Sequence, residues 1–202
     1  MEHKKTDIVL AGVGGQGILT VAAIISWAAV KNNMNVKQSE IHGMAQRGGA
    51  VFSHLRLSTG EIRSDLIPLG EADLILSVEP MEGLRYLPYL NKEKGWLVTN
   101  IKPYVNIPNY PEMDLIIKEI EKVPNHVYLD ADKLAKEEIK STKTSNIIMV
   151  GAASPFLGLN YEDLEWAIEK QFGRKGKDVV EMNIKALKLG LEQAKKLFPD
   201  IV

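Results

Sequence analysis

Apolar residues in this chain follow two rhythms, short continuous runs and longer stretches at helical spacing, and the two alternate along most of its length. Residues 8–13 form a short run with β-branched members, the pattern of a strand buried on both faces. A helix is expected over 17–32, apolar around nearly its whole circumference through Leu19, Val21, Ile24, Ile25, Trp27 and Val30. Such a helix is covered on more than one side, either by a subunit interface or by the C-terminal helices. A second strand is expected over 35–38. Residues 51–57 alternate with period two, as in a half-buried strand. Thr59-Gly60 then turns the chain toward a return strand at 61–63. Further strands are expected over 73–78, 95–100 and 126–129, and helices over 81–90, 113–121 and 131–140. Pro103, Pro108 and Pro111 mark a loop or edge segment.

The last third reads as helix. Residues 146–150 lead into Gly151-Ala152-Ala153-Ser154, small enough for close packing. Tyr161 opens a helix to Phe172, with Asn160 as N-cap. Val180, Ile184, Leu187, Leu191, Ala194 and Phe198 line one face of a long amphipathic helix. Strands alternating with helices predict one α/β domain over 1–202. Its layers are α/β/α, its sheet Rossmann-like and mainly parallel (mixed), with the C-terminal helices added.

Two glycine-rich segments carry the candidate chemistry. The first is Gly12-Val13-Gly14-Gly15-Gln16-Gly17, between the first strand and the first helix. It fits the G-x-G-x-x-G of dinucleotide sites, where the glycines admit a tight turn and a pyrophosphate. Such a site also needs an acid closing the second strand, and Glu40 is the one residue at about the right distance. Gln16 is unusual there, since it projects a polar amide from the turn. A bound dinucleotide, a structural turn and a turn touching a neighbouring chain's ligand all remain open readings. The second segment, residues 39–49, ends in Arg47-Gly48-Gly49. A guanidinium on a glycine-rich loop suits bidentate recognition of phosphate or carboxylate, or of an acid on a partner subunit. His42 has no second titratable group spaced to orient it. Glu79 and Glu82 flank a helix start, where charge complementarity to the helix end explains both. The run Arg174-Lys175-Gly176-Lys177 reads as a solvated loop.

Composition narrows the classes. The net charge is -1, which argues against a nucleic-acid partner. There is no cysteine, so any thiolate-held redox centre the protein serves sits on another chain. The longest apolar stretch, residues 18–30, is short of the roughly 20 residues a bilayer span needs. The polar start leads into a strand rather than a signal-peptide core, and the expected compartment is the cytoplasm.

Taken together, the segments resemble the γ-type domain of the 2-oxoacid:ferredoxin oxidoreductases. The resemblance is carried by residues 12–18, by Arg47-Gly48-Gly49 and by Asp73-Leu74-Ile75-Leu76. It continues through Asn146 with Met149-Val150-Gly151-Ala152, and through Asn183-Ile184-Lys185-Ala186-Leu187 with Gly190. The lead-in from Ser39 to Gln46 is most similar to the indolepyruvate branch of that family. The resemblance implies one subunit of a thiamine-diphosphate enzyme that decarboxylates an aryl pyruvate, forms an acyl-CoA from coenzyme A and reduces ferredoxin. Thiamine diphosphate, Mg and 4Fe–4S clusters would sit on a larger α subunit. This chain would bind no cofactor alone and would be inactive alone. Gly14, Gly15, Gln16, Gly17, Arg47, Gly48 and Gly49 would be its contacts on the coenzyme A or substrate side, or with the partner. No residue is assigned a chemical step. Other 2-oxoacids, a free-standing dinucleotide-dependent oxidoreductase and a pure scaffold are the alternatives.

Overall fold

The structure is a computed structural model and describes residues 4–42 and 48–199. Its strands are β1 (Lys5–Val13), β2 (Asn35–His42), β3 (Ala50–Ser58), β4 (Leu74–Ser77), β5 (Trp96–Asn100) and β6 (His126–Leu129). They form a single sheet in the order β2-β3-β1-β4-β5-β6. Only β3 is reversed, being antiparallel to β1 and to β2, while β1, β4, β5 and β6 pair in parallel. The mainly parallel, mixed α/β sheet expected from the chain is therefore present. β1 is buried on both faces beyond its first residue, as its unbroken apolar run requires.

The α-helices in chain order are α1 (Ile18–Lys31), α2 (Pro80–Arg85), α3 (Met113–Glu121), α4 (Ala131–Leu134), α5 (Ser145–Ala153), α6 (Tyr161–Phe172) and α7 (Lys177–Leu197). α1 and α5 lie on one sheet face, α2 and α3 on the other. α6 packs over α1 and α7 over α5, forming an outer cover on the first face. This cover explains the all-round apolar character of α1: burial beneath a C-terminal helix accounts for most of it. Leu19, Trp27 and Val30 form the stripe that stays exposed.

Four expected elements differ. β2 continues past residue 38, because residues 39–42 pair with 51–54 of β3. No strand forms at 61–63. A return strand needs a free edge, and β3 already has β1 on one side and β2 on the other. The chain from 61 to 70 runs across the sheet face instead. There Arg56 donates to Ser64 O and Leu66 O, and Ile67 N donates to His54 Nδ1 at 2.7 Å. The helix expected over 81–90 stops at Arg85 and gives way to a 3-10 turn, Leu87–Tyr89. Pro88 cannot donate to a helical ladder, which ends the α-helix before it. The stretch expected as one helix over 131–140 holds α4 followed by a π turn, Ala135–Ile139.

Polar ties fix the outer helices. Asn32 and Lys31 at the end of α1 reach Asp163 in α6, at 2.7 and 3.0 Å. Asn160 occupies the N-cap position of α6 without a side-chain cap bond, and its amide nitrogen donates to Asn32 and Asp163. Between α5 and α7 the backbones touch. A Cβ at Gly190 would overlap the carbonyl oxygen of Ile148, and one at Gly151 that of Leu187. α5 is consequently buried from Asn146 to Ala153. Gly190→Ala is expected to destabilise the protein by about 1–3 kcal/mol, the usual cost of overpacking a tight core. It would show as a lower urea midpoint at unchanged m-value.

Candidate functional site

β1 and β4 are neighbours, yet the chain leaves them for opposite faces, β1 into α1 and β4 into α2. In open α/β sheets the crevice at such a divergence, outside the carboxyl ends of the strands, is where ligands bind. The first glycine segment turns at this crevice. Gly17 is the N-cap of α1 at φ 83°, and Gly15 sits at φ 104° with open space where a Cβ would be. Both conformations favour glycine.

The second glycine segment returns to the first. Val13 pairs with Ala50, so the next residues along meet: Gly14 N donates to Gly49 O at 2.9 Å and Gly48 N to Gly14 O at 3.3 Å. Asn106 ties in a third loop by donating to Gly48 O at 2.7 Å. Gly14, Gly15, Gln16, Gly17, Gly48 and Gly49 are thereby assembled at one sheet edge. Arg47 lies outside the described residues, as does the side chain of His42.

The glycine motif is used by the chain itself rather than left open for a pyrophosphate. A Cβ at Gly12 would meet Val78, Ile18 and the Gln16 amide, and one at Gly17 would strike Asn146. Gln16 does not project outward. Its Oε1 accepts from Val13 N at 2.7 Å and its Nε2 donates to Val78 O at 3.3 Å, stitching β1 to the end of β4 across the crevice. Glu40 lies in β2, and β3 stands between β2 and β1. It is thus two strand spacings, about 10 Å, from the strand that carries the turn. An acid that should hold a ribose beside that turn is displaced.

A cavity of about 400 Å³ opens at this edge. Its walls are Gly15–Gly17, Val78 after β4, Asn100 at the end of β5, Tyr104, Asp132, and Thr142, Lys143, Ser145 and Asn146 around the start of α5. The first turn of α1 borders it, and its unpaired amide N–H groups favour anions. α5 begins directly after a 3-10 turn, Thr142–Thr144, whose Thr142 carbonyl takes the Ser145 N–H. Asn146 donates to Gly17 O at 3.4 Å and holds the two helix starts together. Lys143 is exposed at the mouth, with no ion pair among the described residues. On the opposite wall Asn100 donates to Asp132 at 2.8 Å and accepts from Ala131 N at 3.0 Å. One wall therefore suits phosphate and the other suits hydroxyl or amino groups. A second, more apolar cavity of about 330 Å³ lies across the turn, between Gly15, Leu19 and Val51. Among the described residues no group of His, Asp and Glu is placed to hold a metal ion.

Sequence reasoning missed Asn100, Tyr104, Asp132 and Lys143. They come from separate loops, and no local motif joins them. Of the residues it did single out, Glu79 and Glu82 serve the scaffold. Glu79 caps α2 by accepting from Glu82 N at 2.8 Å, and it also accepts from Tyr104 N at 3.3 Å and from the Tyr110 hydroxyl. Burial, with Glu79 beside it, drives the Tyr110 hydroxyl far above its usual range. Burial also raises the Glu82 carboxyl, an effect that Arg85 at 2.9 Å opposes.

Known proteins are similar to this chain along nearly its whole length. The sequence model described as pyruvate ferredoxin/flavodoxin oxidoreductase matches residues 7–193. Indolepyruvate oxidoreductase subunit IorB of Archaeoglobus fulgidus is 40% identical over 198 residues, covering 94% of this chain and 96% of that protein. The γ subunit of a keto/oxoacid ferredoxin oxidoreductase from Geobacter sulfurreducens superposes with a TM-score of 0.69 at 25% identity, covering 95% of this chain and 99% of that one. A 2-oxoglutarate:ferredoxin oxidoreductase from Magnetococcus marinus, solved with 2-oxoglutarate, coenzyme A and succinyl-CoA bound, shares the fold at a TM-score of 0.72 and 22% identity. The match covers 96% of this chain and 32% of that longer one.

A histidine on the sheet face below the glycine edge is expected to make stability depend on pH. His54 is buried there, with Nδ1 accepting from Ile67 N and Nε2 without a hydrogen-bond partner among the described residues. Burial holds its imidazole below the ordinary value of 6.5. The unfolded chain takes up this proton more readily than the folded one. Stability should therefore fall as the pH drops below about 6.5 and level off once the folded imidazole also titrates. His54→Asn keeps an acceptor near the Nδ1 position but cannot titrate. In urea unfolding across this pH range it is expected to show a shallower slope than the wild type.

Proposed function

Because this chain belongs to the pyruvate ferredoxin/flavodoxin oxidoreductase family, we propose that it is the small, β-type subunit of an indolepyruvate:ferredoxin oxidoreductase. The assembled enzyme converts an aryl pyruvate and coenzyme A to an aryl-acetyl-CoA and CO2, and passes the electrons to ferredoxin. The similarity to subunit IorB along nearly the whole chain supports the substrate class. The polar cavity beside Gly15–Gly17 supports the role, and it is the observation that carries the reading. It offers an anion-binding helix start, a lysine and a carboxylate, but no activated nucleophile among the described residues.

In this reading the cavity takes the nucleotide end of coenzyme A. Lys143 and the amides at the start of α1 donate to phosphate oxygens, while Asp132, held by Asn100, accepts from a ribose hydroxyl or the adenine amino group. The open space at Gly15 lets the ligand approach the backbone closely. Arg47, next to Gly48 in the chain, is a further phosphate contact. Thiamine diphosphate with Mg, on a larger α subunit, supplies the decarboxylation chemistry. The 4Fe–4S clusters belong to that subunit too, because this chain has no cysteine to ligate them. It follows that the chain is inactive alone. Among the described residues no helix is long and apolar enough to cross a membrane, and the reading places the enzyme in the cytoplasm. The free-standing dinucleotide enzyme is disfavoured by the Gln16 stitch and by the displaced Glu40.

The test is steady-state kinetics of the complex reconstituted from both subunits. Losing a charge-assisted contact costs about 1.5–3 kcal/mol, so Lys143→Ala should raise KM for coenzyme A roughly tenfold or more, with kcat and the KM for indolepyruvate little changed. An unchanged KM for coenzyme A would remove the ligand from this cavity. Turnover by the isolated chain would remove the subunit role.

A further inference from the structure

Residues 61–69 cross the sheet face as a strap between two glycine corners. At one, Gly60 N donates to Ser58 Oγ at 3.0 Å. At the other, Gly70, at φ 77°, donates from N to Pro88 O at 3.0 Å. Between these corners, among the described residues, the hydrogen bonds from sheet to strap come from two side chains of β3. Arg56 donates to Ser64 O and Leu66 O at 3.1 and 2.9 Å, while its Nε and Nη2 hold Asp7. His54 accepts the Ile67 N–H at 2.7 Å. Ile67 is 2% exposed and packs into the apolar cluster of Val9, Ile75 and Leu97. Ile62 is buried too, but Leu66 and Leu69 are 51% and 66% exposed. A strap with few inward side chains and few bonds is cheaper to lift than the sheet beneath it is to open.

We propose that His54 is an acid-released latch, whose protonation frees residues 61–69 from the sheet face while the sheet stays folded. A backbone N–H can only donate, so the bond from Ile67 requires Nδ1 to carry no proton, which puts the neutral ring's hydrogen on Nε2. A proton added to Nδ1 would point at the Ile67 N–H, and an accepted hydrogen bond would become two donors facing each other. It would also place a charge beside the Phe52 and Tyr89 rings, whose centroids lie 5.5 and 5.1 Å from that of His54. The ionisable groups around the ring come from four elements. Burial opposes the imidazolium most strongly, and Arg56 of β3 opposes it as well. Asp65 of the strap and Asp7 of β1 favour it, but Asp7 is already paired with Arg56 and Lys5. Tyr86, closing α2, and Tyr89, in the 3-10 turn, complete the surround through the Phe52 stack and the His54 edge contact. Lifting the strap lets water reach the ring and removes the facing donor. The ladders of β3 with β1 and β2 do not involve 61–69, so they can remain closed. The stability lost in acid then has a place in the fold.

The experiment is amide hydrogen exchange of the full chain, read residue by residue by NMR across the pH range of histidine titration and corrected for the intrinsic pH dependence of exchange. Opening takes up one proton, so below about pH 6.5 the protection of the Ile67 amide should fall by up to about tenfold per pH unit. At every pH it should stay well below the protection of amides in β1 and β4. In His54→Asn, which accepts but cannot titrate, Ile67 protection should no longer change with pH. The proposal is overturned if Ile67 is as well protected as β1 throughout, since the strap would then leave only when the whole fold opens. It is equally overturned if His54→Asn, folded as judged by melting, keeps the wild-type slope. Should that variant fail to fold, the 15N shifts of the His54 ring in the wild type decide. Ring protonation that coincides with loss of Ile67 protection upholds the latch, and ring protonation with Ile67 still protected removes it.

Discussion

The antiparallel register of β3 on β1 is the constraint on which the rest of this edge depends. With Val13 opposite Ala50, the two strands end together, and the chain entering β3 lies against the turn leaving β1. Two glycine segments some 30 residues apart in sequence therefore become one surface, joined by a pair of backbone hydrogen bonds between Gly14 and Gly48–Gly49. The same insertion pushes β2 to the sheet edge and occupies both sides of β3. A motif familiar from nucleotide-binding folds is thus set in a different neighbourhood, where its strand partners are not those a dinucleotide requires.

The strand and helix framework could be read from the chain because it rests on local periodicity. α3, β6 and α6 fall where apolar spacing places them, and the alternation at 51–57 marks β3. What escaped was set by long-range competition. The pattern at 61–63 carries no sign that β3 lacks a free edge, and Ser39 to His42 look like loop until β3 offers them partners. Pro88 was a visible stop that the apolar run around it obscured.

The candidate site was half legible. The glycines announced a turn, and the structure sets them at a cavity, although Gly12 and Gly17 are explained by Val78, Gln16 and Asn146 rather than by a ligand. Gln16 shows why spacing alone misleads. A polar side chain in a turn can point out to a ligand or back into the fold, and here Val13 N and Val78 O at the ends of β1 and β4 draw it inward. Asn100, Asp132 and Lys143 were silent because each is an ordinary residue until three loops converge.

The walls of the polar cavity come from stretches as far apart as residues 15 and 146, and each is anchored to the sheet or to the buried α5. No fragment of the chain can reproduce them, so the cavity exists only in the native state and vanishes at the cooperative transition. Occupancy and global stability are for that reason linked quantities. A ligand present at a hundred times its dissociation constant adds about 2.7 kcal/mol to the unfolding free energy, and simple melting curves can therefore rank small molecules for this cavity before any catalytic assay exists.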